Sequence, residues 1–277
     1  MAMTKRGRPS LAQQRHEMIV SQVRRSGSVR VDDLAEQLDV SEMTVRRDLD
    51  ALDEAGLVVK VHGGATLRYA HSSDEPGFEA KSLRNTVEKR AIAGSAAVLV
   101  GASAAIGITA GTTTALLAAE LATLPDLTVV TNSIRVADVF HAAARPDRTV
   151  ILVGGQRTPS DALVGPVAVA ALQRFHLDTV FMGVHGIHPR SGFTTPNLLE
   201  AETNAAFVDA AEQLVVLADH TKWDVAGLCT MAPLEAASVV VSDDGLGAEA
   251  RSILGERVGR LTVSSTGLHL HDHDRSA

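Results

Sequence analysis

The chain has 277 residues, of which 45% are hydrophobic and 21% are charged, so it can form one large folded domain and a smaller one. Its single cysteine, Cys229, excludes an internal disulfide and a multi-cysteine zinc site, and it fits a reducing compartment. No run of about 18 apolar residues lacks charges or helix breakers, and no apolar stretch follows the charged N-terminus. We therefore expect a cytoplasmic protein without a membrane span or a secretion signal.

The net charge of −7 is distributed unevenly along the chain. Residues 1–30 contain seven lysines and arginines and one acid, whereas residues 69–277 contain 15 basic and 23 acidic residues. A basic front on an acidic body is the distribution that a DNA-binding head on a soluble domain requires. A solvated basic tail is the alternative that the charge pattern alone leaves open.

The first 68 residues predict three helices followed by two short strands. The first helix is expected over Ser10–Arg25 and the second over Val31–Leu38. Ser41 is a suitable N-cap for a third helix over Glu42–Leu52. Residues 57–65 predict two strands around a turn, which is the arrangement of a wing.

The third predicted helix has one apolar and one polar face. Val45, Leu49 and Leu52 recur at helical spacing and are expected to face the first two helices. The residues expected to point outward are Met43, Thr44, Arg46, Arg47 and Asp50. Two short helices joined by a tight turn, the second with basic residues near its start, have the geometry that enters a DNA major groove. The competing interpretation is that Arg46 and Arg47 form ordinary surface ion pairs with neighbouring acids.

Two segments of this region carry a resemblance to a known family. The run from Val40 to Leu49 (Val-Ser-Glu-Met-Thr-Val-Arg-Arg-Asp-Leu) and the later His-Gly-Gly-Ala at residues 62–65 resemble the signature of DeoR-family bacterial regulators. The resemblance implies a winged helix-turn-helix that binds operator DNA in the cytoplasm, most often as a repressor of carbohydrate or nucleoside catabolism. With the N-terminal arm included, the candidate DNA-binding residues are Arg6, Arg8, Ser41, Met43, Thr44, Arg46, Arg47 and His62.

The N-terminal arm lies outside that family pattern. Residues 5–9, Lys-Arg-Gly-Arg-Pro, contain an Arg-Gly-Arg-Pro stretch that is similar to the core of an AT-hook. Such a core lies in the narrow minor groove of A·T-rich DNA, where the negative potential is enhanced. A basic arm that contacts only phosphates is the alternative.

A polar linker is expected at residues 69–80, a larger domain at residues 81–265 and a disordered tail at residues 266–277. A helix is expected over about Phe78–Val98. Strands are expected at Ala105–Thr109, Leu127–Thr131, Thr149–Val153, Thr179–Gly183, Gln213–Ala218, Ser238–Ser242 and Arg260–Val263, and helices at Thr112–Ala122, Ile134–Ala143, Pro166–Phe175, Leu199–Ala211 and Gly247–Gly255. This alternation predicts an α/β fold with a mostly parallel sheet behind the small N-terminal domain.

Polar, glycine-rich turns follow successive predicted strands. The first, Ala110–Thr114, opens a helix, and backbone N–H groups with hydroxyls at a helix start form an anion site. The others are Asn132-Ser133, Gly154-Gly155, His185-Gly186, Gly192–Thr195, and Asp219 with Lys222. Each turn alone could be a helix cap, an ordinary turn or a surface pair. Because ligands of such sheets bind beyond the carboxyl ends of the strands, their recurrence predicts a ligand site.

This half also resembles the DeoR-type sensor domain, through Gly-Thr-Thr at 111–113, Thr-Asn-Ser at 131–133, Gly-Gly at 154–155 and Asp-x-x-Lys at 219–222. That domain is similar to ribose-5-phosphate isomerase, and the resemblance implies a phosphorylated sugar as effector. The implied effector-binding residues are Gly111, Thr112, Thr113, Thr114, Asn132, Gly155, Glu202, Asp219 and Lys222. Two positions depart from the pattern: Thr109 stands where many relatives carry an acid, and Thr203-Asn204 stands where a basic residue often follows Glu202.

The rival interpretation is an isomerase-like enzyme with an appended DNA-binding head. Isomerisation needs a general base with acids nearby, and the related isomerase supplies paired aspartates after a strand that matches Thr179–Gly183. The turn at residues 183–188 contains no acid here, and Glu202 alone is a poor catalytic set. We therefore expect binding without turnover and no cofactor.

Two further expectations concern assembly and metal binding. Two recognition helices on two half-sites require at least a dimer, so we expect a homo-oligomer, a dimer or a tetramer. The alternating histidines of His269–His273 could bind a metal, but a disordered tail is the favoured interpretation and we expect no metal site.

Overall fold

The computed structural model describes residues 11–26, 28–55, 57–61, 63–66 and 77–267. The chain divides into two compact units, residues 1–70 and 71–277. The predicted DNA-binding residues Arg6, Arg8 and His62 lie outside the described residues. The same holds for the first eight residues of the predicted linker and for the tail from residue 268. The predicted domain boundaries stay predictions. Among the described residues, no helix is long and apolar enough to cross a membrane.

The described part of the first unit contains three helices and a three-stranded antiparallel sheet. The helices are α1 (Leu11–Ser26), α2 (Val31–Leu38) and α3 (Glu42–Glu54), and the strands are β1 (Ser28–Arg30), β2 (Val59–Val61) and β3 (Gly64–Thr66). The strand order is β1-β3-β2.

The core of the first unit follows the predicted helical spacing. Val45, Leu49 and Leu52 of α3 are buried against apolar residues of the other elements, namely Ile19, Val23, Val29, Leu34 and Val58. Strand β1 was not predicted. It pairs closely with β3 because position 64 is a glycine: a Cβ there would lie 2.0 Å from the carbonyl oxygen of Val29.

The second unit contains the α/β domain. Its helices are α4 (Phe78–Ser82), α5 (Thr86–Ala97), α6 (Thr112–Leu121), α7 (Ile134–Ala142), α8 (Pro166–Leu172), α9 (Leu198–Asp209) and α10 (Ala248–Arg257). Its strands are β4 (Ala105–Ile108), β5 (Thr128–Thr131), β6 (Thr149–Leu152), β7 (Gln156–Arg157), β8 (Leu163–Val164), β9 (Leu177–Gly183), β10 (Gly186–His188), β11 (Gly192–Thr195), β12 (Ala211–Leu217), β13 (Cys229–Ala232), β14 (Val239–Asp243) and β15 (Leu261–Ser264).

Seven of these strands form one parallel sheet in the order β15-β14-β12-β9-β4-β5-β6, which confirms the predicted fold class. Side chains alternate between its two faces. Val180 and Met182 of β9 belong to the core under α8, α9 and α10, whereas Phe181 belongs to the core under α5, α6 and α7. The sheet is therefore covered by helices on both faces.

The strand order reverses beside β4. The chain moves from β4 to β5 and β6 in one direction, and then to β9, β12, β14 and β15 in the other. The carboxyl ends of β4 and β9 therefore border a topological switch point, where sheets of this type bind ligands.

Two predicted features of the second unit have a different structure. The predicted helix over Phe78–Val98 is two helices, because Asn85 adopts a left-handed conformation (φ 49°) and its side chain donates to Asp219, 134 residues away. The turns predicted around Gly186 and Gly192 are antiparallel strands that pair with each other, and β11 also pairs with β13. Both differences depend on contacts between residues distant in the chain, which periodicity does not report.

Candidate DNA-binding surface and ligand site

Helix α3 begins at a side-chain cap. Ser41 precedes the helix, and its Oγ accepts a hydrogen bond from the backbone N–H of Thr44 at 3.2 Å. The side-chain hydroxyls of Ser41 and Thr44 also lie 2.9 Å apart. Such a cap stabilises a helix by about 1 kcal/mol, so the start of α3 is fixed locally.

The outer face of α3 is polar and exposed, as the spacing predicted. Met43 is 57% exposed, and Arg46 and Arg47 are also exposed. Arg46 donates to Glu42 at 2.8 Å, so the competing surface pair does form for this residue. An exposed pair of this kind contributes only about 0.3–0.5 kcal/mol, so it does not prevent Arg46 from contacting DNA.

A buried ion pair fastens α3 to α1. Asp48 lies on the inner face of α3 and accepts hydrogen bonds from Arg15 at 2.5 and 2.9 Å and from His16 at 2.8 Å. Burial by itself raises the pKa of Asp48, but the bonds from Arg15 and His16 outweigh it and hold that pKa below the ordinary value. The sequence analysis did not identify Asp48. Its position between Val45 and Leu52, on the apolar face of the helix, could have indicated a buried ion pair.

In the second unit, the turn after β4 is held by buried polar groups. The backbone N–H of Ala110 donates to the side-chain oxygen of Asn132 at 2.9 Å, and the N–H of Gly183 donates to the hydroxyl of Thr109 at 3.2 Å. The hydroxyl of Thr131 donates to the Ile108 carbonyl at 2.6 Å. Asn132 and Thr109 therefore position the turn, which explains their burial.

Helix α6 starts at this turn with its amide groups directed toward the carboxyl edge of the sheet. No side chain among the described residues caps the helix at Gly111. Thr112 is half-buried and Thr113 is buried. The hydroxyl of Thr114 is completely buried and donates to the Gly111 carbonyl at 3.0 Å, so it serves the turn. The N-terminus of α6 is thus left to its backbone N–H groups and the residues at its first turn.

The predicted pair Asp219 and Lys222 lies after the neighbouring strand β12. Asp219 is buried and accepts from Asn85 at 3.0 Å and from the backbone N–H of Thr221 at 3.1 Å. Burial by itself raises the pKa of Asp219, but the positive charge of Lys222 and the Thr221 hydroxyl lower it overall. His220 between them is held to Asp243 at 2.7 Å. The structure therefore places both predicted residues at the carboxyl edge.

A buried lysine that sequence reasoning missed joins this pair. Lys89 of α5 is 4% exposed, and its Nζ donates to the Lys81 carbonyl at 2.6 Å. Burial lowers the pKa of Lys89 to about 8; Asp219 opposes that effect, whereas Lys222, Arg84 and Lys81 add to it by charge repulsion. We call Lys81, Arg84, Lys89 and Lys222 the cationic cluster. Lys81 and Lys89, eight residues apart in the helix predicted after the linker, could have indicated this cluster from the sequence.

The predicted residues Gly155 and Glu202 have other surroundings. Gly155 is exposed at φ +135°, and a Cβ there would lie 2.4 Å from the Val164 carbonyl oxygen, so it allows β7 to pair with β8. Glu202 is exposed on α9. Glu200, two residues earlier, lies instead between Thr158 and Thr195.

Thr203 and Asn204, the two residues after Glu202 that differ from the family pattern, are buried. Thr203 bonds to the Leu199 carbonyl at 2.8 Å and to the Gly165 N–H at 3.1 Å, and Asn204 contacts the sulfur of Met231 at 3.0 Å. Their role in packing α9 explains the absence of a basic side chain there.

The two regions match two models of one family. Residues 84–244 match the DeoR C terminal sensor domain, and residues 15–70 match the DeoR-like helix-turn-helix domain. The chain belongs to the DeoR family.

Curated relatives are similar in sequence to this DeoR-family chain along most of its length. It is 31% identical over 256 residues to a putative aga operon transcriptional repressor of Escherichia coli O157:H7, covering 92% of this chain and 94% of the relative. It is 30% identical over 231 residues to the HTH-type transcriptional repressor CsqR of Escherichia coli K12, covering 83% and 87%. The prediction of a DNA-binding transcription regulator is confirmed, and relatives named as repressors agree with the predicted repression.

Solved structures resemble the DeoR-family chain only distantly. A ribose 5-phosphate isomerase A from Methanocaldococcus jannaschii matches with 17% identity and a TM-score of 0.36, over 49% of this chain and 53% of that one. Three of the curated relatives, including the two above, are named as transcription regulators or repressors, which supports a regulator rather than an enzyme.

Two further features lie apart from the carboxyl edge. A groove of about 420 Å³ runs between α7 and β6, lined by residues that include Phe140, Arg148 and Leu152, and it shares no residue with the predicted effector set. In the part of the chain that the structure describes, no group of three or more histidine, cysteine, aspartate or glutamate residues could hold a metal ion. The histidines at 269–273 lie outside that part.

Proposed function

We propose that this DeoR-family chain is a repressor that binds operator DNA with α3 and responds to a phosphorylated sugar at the carboxyl ends of β4, β9 and β12. The observation that carries the proposal is the cationic cluster, whose buried member Lys89 is surrounded by three further basic side chains. Asp219 already opposes the burial of Lys89, and an added anion would lower the repulsion from the other basic side chains. The cationic cluster therefore favours a negatively charged ligand at this edge of the sheet.

The start of α6 supports phosphate as the anion. Helix α5 packs on α6, and β12, β9 and β4 are neighbours in the sheet, so the cationic cluster and the turn at Gly111 share one edge. A dianionic phosphate gains from backbone N–H groups, the positive helix end and the lysines together. An unphosphorylated sugar gains only hydroxyl contacts.

The proposed DNA contacts lie on the exposed face of α3. Ser41 and Thr44 set the start of the helix, and Met43, Arg46 and Arg47 are available to a major groove. The proposal includes a homo-oligomer in the cytoplasm, since two half-sites require two copies of α3. The proposed ligand-contact set is Gly111, Thr112, Thr113, Lys89 and Lys222, with Asn132, Thr114 and Asp219 as positioning residues.

The test measures binding of DNA selected by the purified protein, with matched phosphorylated and unphosphorylated sugars. Thr112→Asp places a negative charge at the proposed phosphate position, so it should abolish the response and leave ligand-free DNA binding intact. Thr123→Asp, an exposed threonine beyond the other end of α6, is the matched control and should respond normally. A response confined to unphosphorylated sugars would refute the anion site. A normal response of Thr112→Asp would place the phosphate elsewhere.

A further inference from the structure

The groove between α7 and β6, which we call the α7–β6 groove, lies at one edge of the parallel sheet. Its volume of about 420 Å³ falls in the range of pockets that hold small organic molecules. Phe140, Val150 and Leu152 give it an apolar wall, and Leu152 is 43% exposed. Because β6 is the last strand of the sheet, no strand among the described residues covers this wall on the outer side. The groove can therefore accept an apolar group from outside the domain.

Arg148 is a cation in the α7–β6 groove, and its hydrogen bonding is incomplete. Its Nη2 atom donates to the carbonyls of Ala122 and Leu124, just after α6, at 3.0 and 2.5 Å. Its guanidinium carbon lies 4.9 Å from the centre of the Phe140 ring. The Nε and Nη1 atoms are buried and have no hydrogen-bond partner among the described residues. Leaving buried donors unpaired is costly, so an acceptor supplied by a ligand would be favoured at Arg148.

The charges around Arg148 favour a ligand with one negative charge. Burial lowers the pKa of Arg148 and repulsion from Arg145 adds to that effect, whereas Asp147 opposes it. Arg145 is already paired with Asp147 through hydrogen bonds of 3.0 and 2.6 Å. Arg148 forms no ion pair with another described residue, so a single carboxylate would balance its charge. Asp138, an exposed acid that lines the same groove, would repel a second negative charge.

We propose that the α7–β6 groove binds a small organic monocarboxylate with an apolar body. The carboxylate pairs with the guanidinium of Arg148, after a rotation of that side chain that uncovers Nε or Nη1, and the apolar body lies against Phe140 and Leu152. A hydrogen bond between two ionised groups is about twice as strong as one between neutral groups. Covering Leu152 also removes apolar surface from water.

This second site is independent of the proposed function. Arg148 lies beyond the C-terminal end of α6, whereas the proposed phosphate position lies at the N-terminal end of the same helix. The helix has ten residues and is therefore about 15 Å long. The α7–β6 groove also shares no residue with the predicted effector-binding set.

Calorimetric titration of the full chain with hexanoate tests the proposal, with hexan-1-ol and hexylamine as probes of the same chain length. We expect hexanoate to bind more tightly than either of the other two by about tenfold, because only hexanoate offers a carboxylate to Arg148. Lys89→Met removes the buried lysine of the cationic cluster and should bind hexanoate as the native chain does. A loss of hexanoate binding in Lys89→Met would place the carboxylate at the cationic cluster and overturn the proposal.

Two variants test the groove itself, and circular dichroism confirms that each is folded. Leu152→Glu adds a negative charge to the exposed wall while keeping Arg148, so it should weaken hexanoate binding by about tenfold. Val263→Glu, at a position that is 37% exposed on the opposite edge strand β15, is the matched control and should bind normally. Arg148→Met should lose the preference for hexanoate over hexan-1-ol. A native chain that does not bind hexanoate, equal native affinity for hexanoate and hexan-1-ol, or normal hexanoate binding by Leu152→Glu would each overturn the proposal and leave the proposed function standing.

Discussion

Replacing Lys89 with methionine should stabilise the protein while removing its response to anions. The pKa of Lys89 falls from 10.5 to about 8 because the side chain is buried, so folding at pH 7 transfers a charged group into an unfavourable site. That difference corresponds to about 3 kcal/mol at pH 7. Methionine fills a similar volume without the charge.

The net gain is smaller, because Lys89 also donates to the Lys81 carbonyl at 2.6 Å. Leaving that acceptor without its donor costs about 1 kcal/mol, so Lys89→Met should gain about 2 kcal/mol at pH 7. For a unit of this size the melting temperature should rise by about 4–8 °C. The depressed pKa makes the native chain gain stability as pH rises from about 8 to 10.5, because the unfolded state binds the extra proton there. The advantage of the variant should therefore fall below about 1 kcal/mol at pH 9.5.

Thermal unfolding at pH 7 and pH 9.5, with and without inorganic phosphate, measures both effects. A phosphate concentration 100 times the dissociation constant stabilises the native chain by about 2.7 kcal/mol and should leave Lys89→Met unchanged. Arg90→Met, an exposed neighbour, is the matched control and should behave as the native chain does. A variant that is less stable than the native chain at both pH values, and still stabilised by phosphate, would refute the buried-cation argument.

Three further predictions concern the first unit. Arg46→Ala and Arg47→Ala should each lower operator affinity by about 1–3 kcal/mol without changing phosphate binding, and unchanged affinity of the double variant in a DNA-binding titration would exclude α3 as the recognition helix. Deleting residues 1–9 should weaken binding and flatten its salt dependence, and a larger loss on A·T-rich than on G·C-rich flanks would distinguish the AT-hook-like interpretation from phosphate contacts. Asp48→Asn should lower the free energy of unfolding of this unit at neutral pH. Because the pKa of Asp48 is depressed, the stability difference between the native chain and the variant is present above the ordinary pKa of 3.8 and is lost as pH falls through the depressed pKa. Acid unfolding of both proteins, monitored by circular dichroism, tests this prediction.

Elements with a strong local pattern were predictable from the sequence. All seven strands of the parallel sheet were predicted within about two residues, because buried parallel strands form short apolar runs. Ser41 was predicted as the cap of α3, since the capping contact spans only three residues. The break at Asn85 was not predictable, because it depends on Asp219 more than a hundred residues later.

The candidate site was predictable in its location and less so in its members. The turns after β4 and β12 were placed by strand order and the family resemblance, but their residues divide into half-buried positions, such as Thr112 and Lys222, and buried positioning groups such as Asn132. Lys89 was missed because a lysine within an alanine-rich helix resembles a solvated face until the fold buries it. Glu202 stays a prediction: it is exposed on α9, whereas Glu200, two residues earlier, accepts hydrogen bonds from Thr158 and Thr195.

Each unit contains a buried charged residue, Asp48 in the first and Lys89 in the second, and the surroundings of the two residues differ. Asp48 in the first unit is buried with Arg15 and His16 already bound to it, so α3 is held in place before DNA arrives. Lys89 in the second unit is buried near Asp219 and three basic side chains, and an added anion would lower the repulsion from those basic side chains. A ligand shifts an equilibrium only by its differential affinity for the available states. An anion that lowers the repulsion around Lys89 supplies that difference.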